Sequence, residues 1–159
     1  MSQAREDETH LRASIRLAWQ ARENGNHPFG ALLVDREGNV VLEAENTVVT
    51  ERDCTGHAES NLMRTAGKRF DEEFLRRCTL YTSTEPCAMC AGAIFWGGVR
   101  CVVFALSSET LRTMLAGNPD LPILELSSRE VFECGHPETE LRGPALEAEA
   151  RVVHEGFWG

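Results

Sequence analysis

The chain has 159 residues, 42% of them hydrophobic and 26% charged, which is enough for one domain with a full core and ordinary for a globular protein. Its formal net charge of −9 disfavours nucleic acid as a partner, because that binding is driven largely by neutralising phosphates. The polar, acidic start MSQAREDETHLRAS is no signal peptide and no stretch approaches the ~20 apolar residues that span a bilayer, so a cytoplasmic protein without membrane attachment is expected, in which six cysteines suggest metal or redox chemistry over disulfides.

Residues 4–23 place Ala4, Leu11, Ile15, Ala18 and Trp19 at largely helical spacing, and Asn24-Gly25-Asn26 ends that helix. FGALLVD (29–35), the turn REGN and VVLEAEN (40–46) read as a hairpin, followed by a loop, TVVTERDCTG. HAESNLMRTA (57–66) is a helix whose inner face is Leu62, Met63 and Ala66. GKRFDEEFLRR (67–77) mixes bases with acids and reads as a solvated face. RRCTLYTST (76–84) is strand-like, Pro86 starts the helix CAMCAGAIFW, and Gly97-Gly98 ends it. VRCVVFA (99–105) is a buried strand. A short helix near 108–116, a turn at GNPDLP and a strand at 122–126 follow, and PALEAEARVVHEGFWG closes with a helix and an aromatic tail. Helices alternating with strands, without repeat or linker, imply one domain over 1–159 built as a three-layer α/β/α sandwich around a mixed sheet.

The chemistry-bearing residues are His57, Glu59, Cys87 and Cys90. Cysteines three apart on a helix share a face, and the helix start favours their thiolates. With the neutral imidazole of His57 they offset the charge of a zinc ion and leave a fourth position for water, the mark of a catalytic site. Glu59 is two residues from His57, off its helix face, which suits a proton carrier beside the metal that does not ligate it. Three other readings stand beside this one. The C-x-x-C can be a redox pair behind a strand, as in thioredoxin-like proteins. Cys54 can complete a closed structural zinc site with His57, Cys87 and Cys90, in a non-catalytic interaction domain. His57 can be a helix-start histidine unrelated to metal.

The combination HAE…EPCAMC is the H-x-E…P-C-x-x-C signature of zinc nucleobase deaminases. The chain resembles the cytidine-deaminase-like superfamily and, more narrowly, bacterial guanine deaminases, with cytosine deaminase and tRNA adenosine deaminase as their relatives. The likeness runs from about Pro28 to Phe104 through PFGALLV, AEN, TGHAE, LYTSTEPCAMCAGAIFW and VVF. It implies zinc on His57, Cys87 and Cys90, with Glu59 as the proton shuttle of a hydrolytic deamination. Asn46, Phe29, Trp96 and Ala58 would bind the base. Read on residues alone, Asn46 is a turn residue and Phe29 and Trp96 are core aromatics. Phe29 and Trp96 match the guanine deaminase form, so guanine going to xanthine and ammonia is the expected reaction. Cytosine, an amino-triazine, a nucleoside or tRNA adenosine are the alternatives. The same resemblance implies a homodimer, a second acid, for which Glu109 and Glu155 are the candidates, and a C-terminal lid carrying Phe157 and Trp158.

Overall fold

The computed structural model describes residues 2–159. Five strands form one mixed sheet in the order β2-β1-β3-β4-β5. These are β1 (Gly30–Val34), β2 (Val40–Glu45), β3 (Thr79–Thr84), β4 (Cys101–Leu106) and β5 (Glu140–Arg142). β1 runs antiparallel to both β2 and β3, while β3, β4 and β5 are mutually parallel. The central strands are buried on both faces and read as apolar runs, as strands covered by helices on both sides do.

Strand alternation divides the core in two. Ala31, Leu33, Leu80 and Val102 point to one face, where they pack on Ala58, Leu62 and Met63 of α3 (Ala58–Arg69) and on Ala91 and Ile94 of α5 (Ala88–Gly97). Leu32, Val34, Tyr81 and Val103 point to the other, against Leu11, Ile15 and Leu17 of α1 (Gln3–Glu23) and Ala150 of α8 (Glu147–Val152). The expected three-layer α/β/α architecture is therefore the one observed. α1 lies so close to β1 that a Cβ at Gly30 would overlap Leu17 and the Ser14 carbonyl, which accounts for the glycine of PFG.

Several local expectations are corrected. The 47–56 loop holds a one-turn helix, α2 (Val48–Glu51), and the charged 67–77 stretch holds α4 (Glu72–Arg76), capped by the Asp71 side chain on the Phe74 N–H. The exposed pairs Arg76–Glu72 and Arg77–Glu73 keep that stretch the solvated face it was read as. Residues 122–126 are irregular and mostly exposed, not a strand. The strand beyond β4 is β5, preceded by α6 (Ser108–Leu115) and α7 (Ser128–Glu133). Cys101, the first residue of β4, pairs with Glu140, and both α6 and α7 lie between the two strands.

Candidate metal and catalytic site

The site forms where the N-termini of α3 and α5 meet over the end of β3. His57 is the N-cap of α3, yet its side chain makes no capping bond and is free to project. Pro86 sets the chain for α5, Cys87 is that helix's N-cap and Cys90 lies one turn further along the same face. His57 Nδ1 is 3.5 Å from both Cys87 Sγ and Cys90 Sγ, and the three donor atoms lie within 4.8 Å of one another. Zinc–sulfur and zinc–nitrogen bonds of about 2.3 and 2.05 Å at a tetrahedral angle require a sulfur–nitrogen separation of about 3.6 Å. The donor set therefore fits zinc with little movement. Cys90, fully buried, hydrogen-bonds Cys87 and also contacts Ser60 Oγ at 3.3 Å. The Cys90 thiol beside it and the neighbouring His57 pull the Cys87 thiol down, while the same contact and burial push Cys90 up.

Glu59 is 5% exposed, in the first turn of α3, and its Oε1 accepts the Thr82 hydroxyl at 2.5 Å. Thr82 comes from the face of β3 that carries Leu80, so strand alternation aims it at α3. Burial pushes the Glu59 carboxyl up, and the Thr82 hydrogen bond opposes that rise. Glu59 is not one of the three clustered donors.

Asn46 is 1% exposed, its N–H donates to the Phe29 carbonyl and its Oδ1 accepts the Val48 N–H. Its amide nitrogen has no protein partner among the described residues, so this turn residue also presents a spare donor. The rim around it is pinned: Asn26 Oδ1 takes the N–H groups of Val49 and Thr50, and Thr47 N–H donates to Gly56 O, the residue before His57.

The C-terminal tail lies over this rim in the same chain. Trp158 is 6.0 Å from Phe29 and 5.4 Å from His27, ring centre to ring centre. Its indole N–H donates to Nδ1 of buried His154, and its carbonyl accepts Asn118 Nδ2. Arg22 holds the tail from α1 through the carbonyls of Val153 and Glu155 and a cation–π contact with Phe157.

The remaining sequence candidates fall elsewhere. Ala58 is fully buried in the core, so only its backbone can meet a ligand. Trp96 is 86% exposed, neither a core aromatic nor part of the site within this chain. It sits nine residues beyond Cys87, half a turn out of phase on α5. Glu109 and Glu155 are exposed, and neither carboxylate hydrogen-bonds to a described residue; the structure does not bring either to the cysteines. Cys54 is exposed and outside the donor cluster, which removes the closed four-ligand site. Sequence reasoning missed Thr82, whose signal was its period-two spacing from Leu80 and Thr84. It also missed Glu85, whose carboxylate takes the Ser108 N–H and the Ser128 hydroxyl and so ties α6 and α7 to the cysteine loop.

The profile of the "Cytidine and deoxycytidylate deaminase zinc-binding region" matches residues 4–106. A probable cytosine deaminase of Schizosaccharomyces pombe is 43% identical over 152 residues, 96% of this chain and 92% of that protein. A guanine deaminase of Bacillus subtilis is 41% identical over 99 residues, 62% of this chain and 63% of that protein. The structure of a guanine deaminase from Nitrosomonas europaea superposes with a TM-score of 0.75 at 26% identity, covering 93% of this chain and 82% of the other. Such matches agree with the residues that converge here, and the chain belongs to the zinc-binding cytidine and deoxycytidylate deaminase family.

Proposed function

We propose that the chain is a zinc-dependent aminohydrolase that removes the exocyclic amino group of a free nucleobase as ammonia. The observation that carries this reading is the triad of His57, Cys87 and Cys90 beside a buried, non-ligating carboxylate, Glu59. Zinc held by the three would act as a Lewis acid that brings the pKa of a water from 15.7 towards about 7. Glu59 would carry the two protons of that water in turn, the first to the ring nitrogen beside the attacked carbon and the second to the amino group, which leaves as ammonia. Thr82 holds the Glu59 carboxylate in place, and burial keeps its proton affinity high enough to return what it takes. Asn46 Nδ2 donates to the base, and Phe29 and Trp158 cover its faces. The N–H groups opening α5 face the charge that develops during the reaction.

Cytosine stands ahead of guanine as the substrate. The relative named for cytosine is 43% identical over nearly the whole chain, tail included. Of the two residues that suggested guanine, Trp96 points away from the site of its own chain. Guanine is the second reading, on the strength of the Nitrosomonas europaea structure. A tRNA substrate fits poorly with a net charge of −9. Residues 1–159 act in this reading as one unit, in a reducing compartment suited to six free cysteines. Among the described residues no helix is long and apolar enough to cross a membrane.

The same reading includes a homodimer through the outer face of α5. That helix is apolar on all sides, yet Met89 is 37% and Trp96 86% exposed. A helix apolar all round calls for cover on every side. Sedimentation should show a dimer that Trp96→Glu dissociates.

The test of the reaction is ammonia release by zinc-loaded protein from cytosine, guanine, adenine, ammeline, cytidine and guanosine. Turnover of cytosine or guanine with little of either nucleoside is the expected result. Turnover of nucleosides alone, or of nothing, contradicts the reading.

A further inference from the structure

We propose that His27 is a base-reading residue, which makes one hydrogen bond to the carbonyl of an oxo-bearing nucleobase. The inference rests on the deaminase reading above. His27 is partly buried, yet its imidazole makes no hydrogen bond to any described residue. Its ring is bracketed by the tail, 5.4 Å from Trp158 and edge-on to Phe157 at 6.0 Å.

The segment that carries His27 is held on both sides. Asn26, 2% exposed, binds the 49–50 backbone, and the Phe29 carbonyl accepts the N–H of Asn46. Between them the Phe29 N–H donates back to the His27 carbonyl at 2.8 Å, and Pro28 fixes its own φ. An imidazole on so constrained a turn is positioned before any ligand arrives, which lowers the entropy lost on binding. Burial holds its pKa below the ordinary value. The neutral ring then offers one donor and one acceptor. The two face apart, so one ring nitrogen meets the base, and cytosine and guanine each carry a carbonyl that can accept its N–H. Adenine carries no carbonyl and does not gain this bond.

The experiment compares wild type, His27→Phe and His27→Gln, each zinc-loaded and with zinc content measured, on cytosine, guanine and adenine. Phe keeps the contact with Trp158 and removes both polar atoms, and Gln restores a donor and an acceptor. The expected result is a fall in kcat/KM of about tenfold in His27→Phe on the oxo-bearing base, carried by KM with kcat nearly unchanged. His27→Gln should recover most of that loss. Should His27→Phe not fold, a His27→Gln with wild-type KM together with a His27→Ala with raised KM supports the same conclusion. If kcat/KM for every base stays within twofold of wild type, or if the loss falls on kcat alone, the inference is overturned and the deaminase reading stands. If wild type itself turns over no base, the deaminase reading fails and this inference falls with it.

Discussion

Residues 57–90 and residues 107–159 both serve the site, but they are built differently. The first region places its reactive groups at the starts of two helices, α3 and α5, where backbone geometry sets each direction and few side-chain contacts are needed. The second has two short helices, an exposed irregular stretch at 122–126 and a three-residue strand. It is tied to the first by Glu85, which bonds Ser108 and Ser128, and by Phe132 in the core beside α5, while the links from Asn118 to Trp158 O and from Trp158 to His154 hold its own tail together. In the proposed reading the chemistry is fixed by backbone and the choice of base by side chains at the rim. Changes in the first region should abolish the reaction, and changes in the second should tune it.

The largest effect belongs to the ligands. Cys90→Ala should lower zinc affinity by more than ~100-fold and remove turnover with it, since even indirect support of a metal ligand is worth 10–100-fold. Metal analysis after dialysis against a weak chelator checks this, and a variant that kept stoichiometric zinc would break the comparison at its firmest point.

Next comes a pH effect in the tail. His154 is 2% exposed, and burial, with the Arg22 charge, pulls its pKa from 6.5 down to about 4. As the pH falls through this window the unfolded chain therefore takes up a proton that the folded chain refuses. Stability is full above pH 6.5 and falls as pH drops towards about 4, by about 3 kcal/mol at most. Urea midpoints across that range should show the fall in wild type and a flatter profile in His154→Gln. Parallel profiles would mean that the tail is not packed this way.

A smaller effect is expected at Thr82. Thr82→Val removes the hydroxyl that holds Glu59 and leaves a buried carboxylate short of a partner, which costs about 1–3 kcal/mol. Turnover should fall roughly tenfold while zinc content holds. The smallest belongs to the rim. Trp158→Ala should raise KM several-fold with zinc and kcat largely kept. A loss of zinc in that variant would erase the distinction between the two regions.

The same division explains what was legible in the sequence. His57, Glu59, Cys87 and Cys90 could be read because short local spacings on helices translate directly into shared or opposed faces. Four of the five strands and both helical layers followed from periodicity and turn signals, and β5 did not. The 122–126 strand was misplaced because PILEL has the apolar composition of a strand, and composition does not reveal which later segment pairs with β4. Thr82 was missed because its meaning depends on which face of β3 meets α3. Trp96 was misassigned because its helix is apolar on every side, so no sequence period distinguishes its inner face from its outer one. Glu109 and Glu155 were acids without a pattern, and the structure leaves both in solvent.

The most direct test of the central claim is a paired measurement on Glu59→Gln: zinc content, and ammonia release from the best base of the wild-type protein. Glu59 touches the chemistry without holding the metal, so the account predicts wild-type zinc with turnover lower by about 10²- to 10⁴-fold. Turnover near that of wild type in the zinc-loaded variant would contradict the proposed role of Glu59. Loss of zinc together with turnover would instead make Glu59 part of the metal site, which the three-ligand arrangement does not allow.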